Sequence, residues 1–143
     1  MNYEIIDDIT SADIAMRIVG SSLEDLFRTG AEALLSILLQ DHGDISGVLK
    51  LEIYLENEQI DRLFYDFLQE LIFFKDSESL LLVPDTIEIE ETKKGYRLNC
   101  AASGEEIDRN KHVFNTDVKA VTMHNFQVTK ENDVWVAIVV FDV

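Results

Sequence analysis

The chain has 143 residues, of which 47% are hydrophobic and 28% are charged, and this balance is typical of one globular domain with a buried core. Its 28 Asp and Glu residues outnumber 12 Lys and Arg residues, and the formal net charge of −16 argues against direct nucleic-acid binding, because such a surface repels phosphates. The single cysteine, Cys100, excludes an internal disulfide and a zinc site built from several thiolates, and we expect it in the core.

The sequence also lacks membrane and export signals. No segment contains the roughly 18 consecutive apolar residues that a membrane helix requires. The polar, acidic start at residues 1–4 does not resemble a signal peptide. We therefore expect a cytoplasmic protein with no membrane partner. The acidity favours either high solubility or attraction of a basic partner, and composition does not separate the two.

The first predicted elements are two strands followed by a helix. Extended segments are predicted around residues 3–6 and 12–19, and the second alternates between two faces with Asp13 near its start. Ser21 and Glu24 have the spacing of a capping box and predict the start of an amphipathic helix. The apolar face of this helix consists of Leu23, Leu26, Phe27, Gly30, Ala31, Leu34, Leu35 and Leu38.

A loop at residues 41–44 separates this helix from an alternating strand over residues 48–55. Asn57 is predicted to cap a second amphipathic helix, whose apolar residues again recur at helical spacing. The apolar face of the second helix consists of Ile60, Leu63, Phe64, Phe67, Leu68, Leu71 and Ile72.

The rest of the chain has the patterns of strands and turns. Predicted strands cover residues 80–83, 86–91, 96–102, 118–128 and 134–143, with turns at residues 93–95 and 130–133. No internal repeat, low-complexity tract or linker divides the sequence. The pattern therefore predicts an α+β fold, with two amphipathic helices packed on a mostly antiparallel sheet arrangement in one domain over residues 1–143.

The last strand leads into the first candidate site. Residues 134–141 are all apolar, and Asp142 and the carboxylate of Val143 follow at once. Hard divalent cations prefer oxygen ligands of this kind, and Asp13 would join them if strand pairing brought it to the same place. Asp142 shares a strand face with Val140, which we expect to point inward. The alternative is a chain end that is simply solvated.

The second candidate stretch is residues 118–124, in which Lys119 and His124 interrupt an otherwise apolar strand. One lysine and one histidine do not make a catalytic pair. His124 is either a hydrogen-bonded residue of the core or its rim, or a group that joins a metal site or relays protons. His112 and His42 lie in predicted loops and are expected at the surface. Nucleophile, phosphate-binding and zinc-protease motifs are absent from the sequence, so we predict that the chain is not an enzyme.

Four segments of the sequence resemble the archease family, and the resemblance spans the whole chain. They are Ser11-Ala12-Asp13-Ile14, Gly104-Glu105 with His112, Val118-Lys119-Ala120-Val121-Thr122-Met123-His124, and Val139-Val140-Phe141-Asp142-Val143. The third segment matches the family pattern VKA(V/L)TxH, and the fourth matches its closing (L/F)D plus one residue. The first motif of the family usually reads His-Thr-Ala-Asp, whereas this chain has Thr10 in place of the histidine and keeps Asp13.

The resemblance implies an accessory protein of the GTP-dependent RNA-splicing ligase RtcB, which seals tRNA halves and repairs RNA ends. Archeases promote guanylylation of this ligase and allow it to turn over repeatedly. By the same resemblance, Asp13, Asp142 and Val143 bind a divalent metal ion, calcium first, with magnesium or manganese as alternatives. Lys119 and His124 are candidates for supporting the metal ligands or for another functional role.

The resemblance also suggests an alternative role. In that role the chain is a chaperone or specificity modulator of tRNA methyltransferases and other RNA-modifying partners. A chaperone of this kind needs an exposed apolar patch, which the periodicity of the two helices does not show.

Overall fold

The computed structural model describes residues 1–10 and 13–143, with the backbone alone for residues 7–10. Its helices and strands are β1 (Asn2–Thr10), β2 (Asp13–Gly20), α1 (Leu23–Leu38), β3 (Leu49–Asn57), α2 (Ile60–Glu78), β4 (Leu80–Thr92), β5 (Gly95–Glu106), β6 (Ala120–Glu131) and β7 (Val134–Asp142). The strands predicted at residues 80–83 and 86–91 form one strand, β4, with a register irregularity after Pro84. Within the described residues, no helix combines the length and hydrophobicity that crossing a membrane requires.

The strands form two antiparallel sheets, with the orders β1-β2-β7-β6 and β3-β5-β4. Helix α1 packs against β2 and β4, and helix α2 packs against β6, β4 and β3. Both helices therefore contact both sheets. This arrangement confirms the predicted α+β fold with two helices on antiparallel sheets.

Helix α1 has its N-cap one residue after the predicted capping box. Ser22 is the N-cap, and its Oγ accepts a hydrogen bond from the N–H of Asp25 at 3.0 Å. The Asp25 carboxylate in turn accepts a hydrogen bond from the N–H of Ser21, the residue before the N-cap, at 2.8 Å. The predicted pairing of Ser21 with Glu24 is therefore wrong by one residue, because Glu24 reaches across to the N–H of Ile89 in β4.

Helix α2 starts without a side-chain cap. Its N-cap is Gln59, which makes no capping hydrogen bond with its side chain. Asn57 ends β3 and accepts a hydrogen bond from the N–H of Gln59 at 3.2 Å, so the predicted Asn57 cap is wrong.

One hydrophobic cluster joins both helices to both sheets. Within it the rings of Phe27 and Phe64 lie 4.8 Å apart between the helices. The predicted apolar faces of the helices are buried in this cluster, apart from the half-buried Leu23 and Ile60 at the two helix starts. Cys100 is also fully buried, as expected, and burial raises the pKa of its thiol to about 11.

Strand β7 lies between β2 and β6 and uses its two faces differently. Ala137, Val139 and Phe141 belong to the main core. Asp142 lies on the opposite face with Val140, which is buried but lies outside that core cluster. The expectation that this face points inward is confirmed at Val140, but Asp142 at the strand end is only half-buried, and the residues that pack against the helices lie on the other face of β7.

Candidate functional site

The pairing of β2 with β7 brings Asp13 to Asp142. The two strands are antiparallel and in continuous register from Gly20 opposite Trp135 to Asp13 opposite Asp142. Side chains of directly opposite residues point to the same face, with Cβ atoms about 4.5–5.5 Å apart. The structure thus makes neighbours of two aspartates from opposite ends of the sequence, and we refer to Asp13 and Asp142 as the acidic pair.

The acidic pair lies on a well-supported backbone. Strand β7 is flanked by β2 on one side and by β6 on the other, so backbone hydrogen bonds hold it from both sides. The carbonyl of Asp142 accepts a hydrogen bond from the N–H of Lys119 at 2.8 Å. Asp13, Asp142 and Val143 are all half-buried. Of the first family motif, Ser11 and Ala12 lie outside the described residues, as does the side chain of Thr10.

Lys119 is the predicted site residue that the structure places beside the acidic pair. It directly precedes Ala120, the first residue of β6, which pairs with Asp142. Its side chain is exposed. An exposed ammonium group in this position can form charge-assisted hydrogen bonds to a phosphate at the end of the sheet.

His124 lies farther along the edge strand β6. Thr122 pairs with Val140 and Gln127 with Ile138, so residues 123–126 form a bulge that interrupts the pairing with β7. His124 is exposed in this bulge. The structure therefore places Lys119 next to the acidic pair and His124 in a bulge beyond it.

The bulge itself is firmly anchored. The N–H of His124 donates to Thr122 Oγ1 at 3.2 Å. Phe126 turns inward, and its ring lies 6.0 Å from Phe64 and 5.8 Å from Tyr65 in α2. His124 is exposed, so it is not the core residue that the sequence pattern offers as one alternative.

The acidic pair and Val143 supply oxygen ligands. Two carboxylates at this spacing repel each other, and a divalent cation between them removes that repulsion. The donor set fits a hard cation, although water has to supply much of the coordination. Among the residues that the structure describes, no three His, Cys, Asp or Glu side chains cluster as a metal site. The pair could therefore supply only part of the ligands that a cation needs.

Two contacts hold β6 and the residues before it next to the acidic pair, and neither was predicted from the sequence. Lys75 of α2 is buried, and its Nζ binds Asp76 and, at 2.8 Å, Asp117. Gln69 of α2 accepts a hydrogen bond from the N–H of Val121 at 2.8 Å. Lys75 lies on the apolar face of α2, and a lysine in that stripe is the signal that could have found it.

His112 also differs from the sequence prediction. It lies in a connecting segment, as expected, but its side chain is fully buried. Its imidazole Nδ1 accepts a hydrogen bond from the N–H of Asp108 at 2.9 Å, and its Nε2 lies 3.3 Å from Glu105. The expected surface position is therefore wrong, because residues 108–112 fold back onto the end of β5.

Two surface clefts are lined by other residues. One of about 590 Å³ lies by the β4–β5 turn and is lined by Lys93, Lys94 and Arg97 among others. Another of about 580 Å³ is lined by Val48, Leu49 and residues 105–109. Neither of these two clefts is lined by the acidic pair.

Comparison with known sequences identifies relatives over almost the whole chain. Residues 3–143 match the model of the Archease protein family (MTH1598/TM1083). The chain is 36% identical over 137 residues to protein archease of Pyrococcus abyssi, covering 93% of this chain and 94% of the relative. It is 30% identical over 142 residues to protein archease of Methanosarcina acetivorans, covering 99% and 95%.

Solved structures show the same fold. The solution structure of Methanobacterium thermoautotrophicum protein 1598 has a TM-score of 0.84 and 29% identity, with 99% of this chain and 98% of that chain covered. The crystal structure of a Thermotoga maritima protein described as an archease, possible chaperone, has a TM-score of 0.65 and 25% identity, with 98% of both chains covered. With the family model matched over residues 3–143, this chain belongs to the archease family.

Proposed function

We propose that this chain is a metal-binding accessory protein that activates an RtcB-type RNA ligase, promoting its guanylylation and repeated turnover in tRNA splicing and RNA repair. The observation that carries the proposal is the register of β2 and β7, which sets Asp13 directly opposite Asp142. Membership of the archease family and the position of Lys119 beside the pair support it.

In this proposal the acidic pair and the Val143 carboxylate hold one divalent cation, calcium first, with magnesium or manganese as alternatives. A cation held there would neutralise phosphate charge during nucleotidyl transfer. The central strand β7 keeps the acidic pair in place while the end of the sheet enters the active-site region of the ligase. Lys119 then lies where it can contact a phosphate of the nucleotide.

The net charge of the chain suggests which of the two proteins contacts the RNA. A net charge of −16 opposes direct contact with RNA, so the ligase would hold the RNA and this chain would contact only the ligase. The same charge would speed association with a basic surface around the active site of the ligase. In this proposal the chain therefore assists the ligase and does not catalyse a reaction itself.

The test replaces each aspartate by the isosteric, uncharged asparagine. We expect Asp13→Asn and Asp142→Asn to lower calcium affinity and the stimulated rate of ligase guanylylation by about tenfold or more, because each removes a charged ligand. Calcium binding is measured by calorimetry and guanylylation by transfer of labelled GMP. Asp133→Asn is the matched control, because Asp133 lies in the exposed β6–β7 turn at the other end of β7, where asparagine accepts the left-handed backbone. If both site variants fold and still stimulate ligase guanylylation as the wild type does, the proposal is wrong.

A chaperone role for RNA-modifying enzymes is the second candidate. It is favoured by the description of the Thermotoga maritima relative as a possible chaperone. Ile5, Val48 and Val113, which are 60%, 75% and 57% exposed, are apolar side chains that such a role could use. Light scattering of a tRNA methyltransferase during heating distinguishes the two roles. Protection that survives a chelator supports the chaperone, and protection that the chelator abolishes argues against a metal-independent one.

A further inference from the structure

Glu105 is the centre of a hydrogen-bonded cluster at the end of β5. Its side chain is 13% exposed, and its Oε2 accepts hydrogen bonds from Lys111 Nζ at 2.7 Å and from the N–H of Ser46. Lys111 Nζ also donates to Ser46 Oγ at 2.8 Å. One carboxylate oxygen therefore ties together the loop before β3, the end of β5 and the segment that follows β5. We refer to Glu105, Lys111 and His112 as the Glu105 cluster.

His112 completes the cluster, and its hydrogen bond to Asp108 fixes the orientation of its ring. Because its Nδ1 accepts a hydrogen bond from the N–H of Asp108, the ring proton of the neutral imidazole lies on Nε2, which faces Glu105 Oε2 at 3.3 Å. Among the described residues, this buried Nε2 has no hydrogen bond of good geometry. The acceptor that faces it is the Glu105 carboxylate. The N–H of His112 also donates to the carbonyl of Asp108, which closes the turn.

Gly104 explains why Glu105 occupies this position. A Cβ atom at Gly104 would lie 1.8 Å from the carbonyl oxygen of Leu81 in the neighbouring strand β4. Only glycine therefore allows β4 to approach β5 this closely at the point where Glu105 follows. The Gly-Glu pair is thus one structural unit, in which the first residue sets the strand spacing and the second anchors the following segment.

From the cluster, residues 113–119 are bonded to their neighbours along most of their length. The N–H groups of Asn115 and Thr116 donate to carbonyls at the end of α1, at 2.8 and 3.1 Å, and so satisfy groups that a helix terminus leaves free. Asp117 then binds the buried lysine of α2, and the N–H of Lys119 donates to β7. Contiguous contacts thus connect the Glu105 cluster to the acidic pair.

We propose that the Glu105 cluster is a positioning device that fixes residues 113–119 and thereby places Lys119 beside Asp142. Its consequence for cation binding rests on the proposed function, because a loosened segment would weaken the hydrogen bond to the Asp142 carbonyl next to the ligands. Its consequence for the order of residues 113–119 does not depend on any metal.

The test compares Glu105→Gln with Glu106→Gln. Glutamine keeps the size of Glu105 but removes its charge, so its amide oxygen accepts weaker hydrogen bonds from Lys111 and Ser46 than the carboxylate does. Glu106 is the adjacent exposed residue of β5 and provides the matched control. We expect amide hydrogen exchange at Asn115 and Lys119 to become about tenfold faster in Glu105→Gln alone, while exchange in the interior of α1 stays unchanged. Calcium affinity in the same variant should fall about tenfold.

The two readouts separate this inference from the proposed function. Exchange at Lys119 that is equal in the two variants overturns the positioning role, whatever the metal does. Faster exchange with unchanged calcium affinity overturns the link to the site, because a merely structural role would give that result. If the wild-type chain binds no calcium, the cation of the proposed function fails, and the exchange comparison still decides whether the Glu105 cluster positions Lys119.

Discussion

Glu105 shows how hydrogen bonding at one residue sets an acid-base property. The ammonium of Lys111 and then the N–H of Ser46 lower the pKa of Glu105 from 4.5 to about 2, and they outweigh the opposing effect of desolvation. A carboxylate with a lowered pKa in the folded state stabilises the fold above its unfolded pKa. That contribution is lost as the pH falls from about 4.5 to about 2.

The pH dependence of stability therefore provides a prediction for Glu105. Wild type should be more stable than Glu105→Gln at pH 7, and the difference should shrink as the pH falls through that range, because glutamine does not titrate. Urea unfolding followed by circular dichroism at several pH values measures it. Parallel pH profiles for the two proteins would contradict the assignment, and Glu106→Gln should follow wild type.

Individual histidines and lysines show what the pattern of apolar residues in the sequence does not predict. Lys119 is recognisable in the sequence because it interrupts an apolar run. The burial of His112 is not, because it depends on residues 108–112 folding back onto Glu105, a contact that the spacing of apolar residues does not encode. Lys75 is buried because Asp76 and Asp117 neutralise it, and Asp117 belongs to a distant segment.

At the scale of elements, the close approach of the helices depends on Gly30. This residue of α1 faces α2, and a Cβ atom here would lie 2.6 Å from the Phe64 ring. Phe64 is fully buried, and its ring packs against Phe27 at 4.8 Å and Phe126 at 6.0 Å, so it has no space to retreat. The glycine that weakens the helix locally is thus what allows the two helices to pack.

We accordingly expect Gly30→Ala to destabilise the protein. Alanine improves helix propensity by about 1 kcal/mol, but overpacking against the ring costs about 1–3 kcal/mol, so the net loss should reach about 1 kcal/mol. Chemical denaturation measures it. Gly43→Ala in the exposed loop before β3 is the control and should change stability by less than about 0.5 kcal/mol. A stabilised Gly30→Ala would show that the helices separate at little cost.

The elements themselves were largely predictable, and their ends were not. Both helices follow from their apolar periodicity. Their N-caps do not, because the N-cap of α1 is Ser22 rather than the predicted Ser21, and the predicted Asn57 cap of α2 is absent. Glu24 has the right spacing for a capping box, but its contact with β4 prevails. Tertiary contacts compete with local capping for the same polar side chains, and local spacing alone does not show which one prevails.

For the whole molecule, the charge of −16 is the dominant electrostatic feature. Like charges spread over a small domain repel one another and oppose the compact state. Salt screens this repulsion, with a Debye length of about 10 Å at 0.1 M. The folded chain should therefore gain stability from salt alone, without any specific cation.

The prediction is that the midpoint of thermal unfolding rises by a few degrees between about 20 mM and 300 mM NaCl. Scanning calorimetry in the presence of a chelator measures it and excludes binding of divalent cations as the cause. A midpoint that falls with salt would mean that attractive ion pairs, such as Lys111 with Glu105, outweigh the repulsion.

The sequence by itself determined the α+β class, both helices and most strands, and it identified Asp13 and Asp142 as candidates from the carboxylates at the strand ends and from the resemblance to the archease family. These features depend on local periodicity and on short motifs, which a linear chain contains in full. Only the tertiary structure decided that the two aspartates lie opposite each other, that they lie on the face of β7 away from the helices, and that His112 is buried against Glu105. Those outcomes depend on which strands pair and in which register, and that choice minimises the free energy of the whole core rather than of any one segment.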